Sequence, residues 1–116
     1  MITKKPQILN KTRALNYFKN TILASSEKNN ILKIYLFGSM LKERKVRFNS
    51  DIDVVVFGRD SAIKKIEKIV DEKAFETAAK YGESVEPLIY SQCHLRNPKS
   101  VFLQRIIEEG KELYSV

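Results

Sequence analysis

Between Leu36 and Phe57 the sequence reads LFGSMLKERKVRFNSDIDVVVF. A strand-like run stops at Gly38-Ser39, and eleven residues separate that turn from Asp51 and Asp53, which open a second oily strand. Side chains alternate along an extended strand, so the two aspartates project from one face while Ile52 and Val54 take the other. Neighbouring carboxylates repel each other and lose hydration beside a core. A hard divalent cation, above all Mg²⁺ carrying substrate phosphates, relieves that conflict. A Gly-Ser pair or an Asp-x-Asp alone is a common turn or cap. Together, at the mouth of an apolar strand where ordinary solvation is poor, they point to nucleotide chemistry.

The flanking pattern predicts an α/β domain. Residues 9–28 read as a helix, with Leu15, Phe18 and Ile22 at spacings of three and four. Ile31 to Phe37 is rich in β-branched and aromatic residues and reads as a strand. Met40 to Arg44 is expected as a short helix and Val46 to Ser50 as a loop. Asp51 to Phe57 forms the second strand, and its run of Val54, Val55, Val56 and Phe57 implies burial on both faces. Asp60 or Ser61 is expected to cap a helix reaching about Ala79, with Ile63, Ile66, Val70 and Ala74 turned inward and Tyr81-Gly82 at its end. Ser84 to Tyr90 reads as a third strand, which Pro87 restricts to an edge or a bulge. Asn97-Pro98 is expected to start a last helix that Gly110 stops, with Leu113 to Val116 as a short final strand. Small mixed sheet plus flanking helices is the natural packing of this order.

The chain's 116 residues fit one domain, 1–116, with one core. Apolar content of 43% with 30% charged residues excludes a disordered chain, and no apolar run approaches a membrane span. The amino-terminal MITKKPQILNK lacks the apolar core of a signal peptide. One cysteine, Cys93, rules out an internal disulfide, and these features together point to the cytoplasm. A lone Cys93-His94 pair also falls short of a zinc set or a cysteine nucleophile with its orienting partner, and is expected in a loop. The net charge of +7 favours anionic partners. Lys4, Lys5, Lys11 and Arg13 read as solvated surface, whereas Lys42, Arg44, Lys45 and Arg47 lie inside the interval between turn and aspartates.

On these residues, LFGS…SDIDVVV resembles the signature of the minimal nucleotidyltransferases (MNT), small members of the polymerase-beta-like superfamily that includes kanamycin nucleotidyltransferase. The ending NPKSVFLQRIIEEGKELY also resembles the closing helix and segment of those proteins, so the likeness covers most of the chain. The interval is slightly longer than the commonest form, and Met40 stands where the family often has arginine.

The resemblance implies a nucleotidyltransferase fold and transfer of a nucleoside monophosphate, AMP from ATP, to an acceptor hydroxyl with release of pyrophosphate. Asp51, Asp53 and a third carboxylate would be catalytic and hold two Mg²⁺ ions. Glu86 in SVEPLIY is matched to the third carboxylate, with Glu83 as competitor. Gly38 and Ser39 would steady the triphosphate; Lys42, Arg44 and Arg47 are candidates for its charge, and spacing leaves open which of them turns inward. Many members are antitoxins beside a helical HEPN partner, and some adenylylate a tyrosine of that toxin, which implies a hetero-oligomer or homo-oligomer. The alternative is a catalytically weak MNT module that neutralises its partner by binding. Nucleic-acid binding ranks third, because the chain carries no helix-turn-helix, zinc-finger or RNA-recognition signature.

Overall fold

The computed structural model describes residues 6–40 and 50–116. Among the described residues the α-helices and strands follow in the order α1 (Pro6–Leu23), β1 (Ile31–Phe37), β2 (Ile52–Gly58), α2 (Ile63–Tyr81), β3 (Val85–Ser91), α3 (Gln92–Arg96), α4 (Val101–Glu109) and β4 (Lys111–Ser115). The strands form one mixed sheet in the order β3-β2-β1-β4. β1 runs antiparallel to both β2 and β4, while β2 and β3 are parallel and joined by α2, the crossover that a parallel pair requires.

Two apolar layers hold the sheet. On one face α1 and α2 pack Phe18, Ile22, Ile66 and Val70 against Ile34, Leu36, Ile52, Val54 and Val56. On the other, Tyr35, Val55 and Phe57 meet Leu103 and Ile106 of α4. Val54 to Phe57 are all fully buried, so β2 is covered on both sides as its unbroken apolar run requires. Each such side chain contributes roughly 1.5–3 kcal/mol relative to exposure.

Element boundaries differ from the sequence reading where local chemistry competes. α1 begins earlier and ends at Leu23, since Ser25 bonds back to the Ile22 carbonyl at 2.6 Å and turns the chain away. Asp60 and Ser61 do not cap α2; they form a 3-10 turn, and Ala62 occupies the cap position. Gly82 ends α2 in the left-handed conformation, φ 69°, which its missing Cβ permits. Cys93-His94 lies in the short α3 and not in a loop, and Asn97 closes that helix. The cap of α4 is Ser100, whose hydroxyl accepts the Leu103 N–H at 3.1 Å. Pro87 sits on an edge strand, as its missing N–H demands. Among the described residues, no helix is long and apolar enough to cross a membrane.

Candidate active site

The two halves of the Gly-Ser…Asp-x-Asp pattern meet in space. The last residue of β1, Phe37, pairs with Asp53 on β2. Immediately after it the chain turns through Gly38–Met40 in a 3-10 turn, with Gly38 at φ 77°. A Cβ on Gly38 would overlap the Asp53 carboxylate, so the turn lies directly against that side chain. Glycine is required twice here, for its backbone angle and for this close approach.

Asp53 also lies directly opposite Glu86 across the parallel β2–β3 ladder. Alternation puts Asp53 and Glu86 on the face that carries Val55 and Phe57. Asp51 is exposed just outside β2. Between the aspartates, the Ile52 N–H donates to the Ser84 carbonyl at 2.8 Å, fastening the start of β2 to the segment before β3. Glu86 is exposed and accepts a long hydrogen bond, 3.4 Å, from the Ser84 hydroxyl.

Burial holds the Asp53 carboxyl above the usual carboxylate range, and the charges of Asp51 and Glu86 push it the same way. Glu83 has a different environment. One of its oxygens accepts from Lys11 Nζ at 2.5 Å and the other from Asn10 Nδ2 at 2.6 Å, and both Lys11 and Glu83 are buried. Among the described residues, no three His, Cys, Asp or Glu side chains converge into a ready-made metal cage. The chemistry of the donor set around Asp53 still suits a hard cation: oxygen ligands only, anionic, mutually repelling and open to solvent.

Lys42, Arg44 and Arg47, the candidates for triphosphate charge, lie outside the described residues. Ser39 stands in the middle of the Gly38–Met40 turn. Phe102 of α4 packs edge-on against Phe37, ring centroids 5.4 Å apart, so an aromatic pair borders the carboxylates. Lys11, which its charge alone would place at the surface, is 1% exposed. A signal was present: positions 8, 11, 15, 18 and 22 form one helical stripe, and Lys11 occupies an inward place in it. A cavity of about 280 Å³ lined by Cys93, His94, Asn97 and Lys99 lies past Ser91, at the end of β3 away from Glu86.

The family model described as "Polymerase beta, Nucleotidyltransferase" matches residues 19–116. No curated protein matches the sequence. Among solved structures, a candidate nucleotidyltransferase from Sulfolobus solfataricus is similar at TM-score 0.57 and 15% identity, over 99% of this chain and 92% of that one. A toxin–antitoxin crystallised with AMP-PNP gives TM-score 0.51 at 24% identity, covering 85% of this chain and 72% of that one. A tri-AMPylated Shewanella oneidensis HEPN toxin in complex with MNT antitoxin gives 0.46 at 22% identity, over 95% and 73%, a likeness too loose to argue from. At these identities the first two show a shared fold; the family assignment rests on the sequence match. A four-stranded mixed sheet, a Gly-Ser turn closed on Asp53 and a family match over most of the length agree, and the chain belongs to the polymerase beta nucleotidyltransferase family.

Proposed function

We propose that the protein is a Mg²⁺-dependent nucleotidyltransferase that moves AMP from ATP to a hydroxyl acceptor, a tyrosine of a HEPN toxin, and thereby acts as a cytoplasmic antitoxin. The observation that carries this reading is the alignment of Asp53 with Glu86 across parallel strands, with the Gly38 turn packed on the Asp53 carboxylate. Asp51, Asp53 and Glu86 are the residues that would hold Mg²⁺. When bound, the metal would neutralise phosphate charge and lower the cost of a nucleophilic oxygen.

The chain's own groups have separable tasks. Gly38 has no Cβ, so a phosphate oxygen can reach the backbone N–H groups of the turn, with the Ser39 hydroxyl as a further donor type. Lys42, Arg44 and Arg47 remain the candidates for departing pyrophosphate. Glu86, exposed on the edge strand, is the carboxylate an incoming hydroxyl would meet, and it can accept that hydroxyl's proton. The partner reading draws support, at the level of fold, from the toxin–antitoxin crystallised with AMP-PNP.

The experiment is labelling. Incubation with Mg-ATP and a HEPN partner should yield a partner heavier by AMP, and Asp51→Asn with Asp53→Asn should abolish it. Unchanged labelling by that double variant rejects the metal role. Full protection from the toxin without any transfer by the wild type would instead assign the protein to neutralisation by binding.

A further inference from the structure

We propose that the buried Lys11–Glu83 ion pair is a clamp that positions the carboxylate end of β2 and β3, making Lys11 and Glu83 positioning residues for the site formed around Asp53. The inference rests on the nucleotidyltransferase reading for its purpose, but its geometry stands independently of that reading.

Lys11 is 1% exposed and Glu83 7%. The Lys11 ammonium donates to Glu83 Oε1 and to the Ser50 carbonyl, both at 2.5 Å. Asn10, one residue earlier on α1, donates to Glu83 Oε2 at 2.6 Å and to the Tyr81 carbonyl at 3.0 Å. A buried ion pair is a poor device for stability alone: desolvation offsets much of its attraction, and apolar residues of similar volume often serve as well. An apolar pair could not, however, supply a donor for the Ser50 carbonyl.

That contact falls at a telling place. Ser50 and Glu83 each stand three residues ahead of the paired Asp53 and Glu86. Between clamp and carboxylates, the Ile52 N–H on the Ser84 carbonyl and the Ile52–Val85 pairing begin the ladder. Lys11 therefore ties together the segments that lead into β2 and β3, at matching points just before the strands present their acids. A one-residue slip of either strand would turn its carboxylate to the opposite face of the sheet. α1 supplies the grip through Asn10 and Lys11.

The test uses the full chain with Lys11→Met plus Glu83→Gln, which removes both charges and leaves neither partner ionised alone. Two readouts bear on positioning: Mn²⁺ affinity by electron paramagnetic resonance, and hydrogen exchange of the Ile52 amide by NMR. The expected result is a Tm near wild type, Mn²⁺ affinity weakened about tenfold or more, as is typical when a group supporting metal ligands is removed, and faster Ile52 exchange. Unchanged affinity with unchanged exchange overturns the clamp. Should the double variant melt far below wild type, both readouts are taken well below its Tm, with amides in the middle of β1 as reference: weakened Mn²⁺ affinity and faster exchange at Ile52 that the β1 amides do not share must still appear, and failure to do so assigns the pair to fold stability alone. Wild-type protein that binds no Mn²⁺ would remove the proposed activity, while Ile52 exchange would still decide whether the clamp holds the strand.

Discussion

Gly38 lies against the carboxylate of Asp53, fifteen positions away in sequence, with no room between them for a side-chain carbon. The turn thus walls one side of the acid while Glu86 flanks the other. Gly38→Ala should be doubly penalised, by its φ of 77° and by displacement of Asp53. The expected cost is about 1–3 kcal/mol with loss of nucleotidyl transfer. Gly82→Ala is the control: φ is 69° but nothing lies within 4 Å of the added carbon, so it should cost about 1 kcal/mol and leave transfer intact. Urea denaturation and a transfer assay on both variants separate strain from site geometry.

Asp53 is expected to oppose folding at neutral pH. Its folded-state carboxyl is held above the ordinary value, first by burial and then by Asp51 and Glu86. A raised carboxyl binds its proton more tightly when folded, so its favourable contribution is complete below the unfolded value and is lost as pH rises through the folded one. Asp53→Asn should therefore raise Tm at pH 7 in metal-free buffer, and the gain should vanish toward pH 3. Because the group is half-exposed, solvent screening limits the gain to roughly 1 kcal/mol or less. Added Mg²⁺ at a hundredfold excess over its Kd should stabilise the wild type by about 2.7 kcal/mol and the variant far less. Calorimetry across pH, with and without Mg²⁺, checks both signs.

Two glutamates three residues apart should behave in opposite ways. Glu86 is exposed with one long contact, so Glu86→Gln should leave stability within about 0.5 kcal/mol while reducing transfer. Glu83 neutralises a buried lysine, so Glu83→Ala should cost about 3–5 kcal/mol by leaving Lys11 uncompensated. Equal stability losses in the two variants would contradict the difference in their surroundings.

The sheet was legible in the sequence because its signals are local and redundant. ILKIYLF and DIDVVVF are strands by composition, and Gly38 and Gly58 mark their ends. The pairing of Asp53 with Glu86 was legible only as a family expectation, since it depends on register between strands more than thirty residues apart. α3 escaped notice because five residues, QCHLR, are too few to display a helical period. The Lys11–Glu83 pair escaped for another reason: each residue looks like solvated charge alone, and only the fold brings α1 to the start of β3. Lys11's place in an apolar stripe was the one local hint.

The residue that starts α4 can be identified by mutation. Asn97-Pro98 has the residue types of a helix start, yet Asn97 ends α3 with its N–H on the Cys93 carbonyl, and Ser100 supplies the cap. α4 has nine residues, too few to persist without its cap and its packing of Leu103 and Ile106 on the sheet. Ser100→Ala removes an acceptor from the Leu103 N–H and should cost about 1 kcal/mol, whereas Asn97→Ala should stay within about 0.5 kcal/mol. Fraying at this end should also loosen Phe102 from Phe37, the neighbour of Asp53 on β1. Transfer should therefore fall modestly in Ser100→Ala and hold in Asn97→Ala, measured beside the urea midpoints. The reverse order would place the helix start where the residue types alone put it.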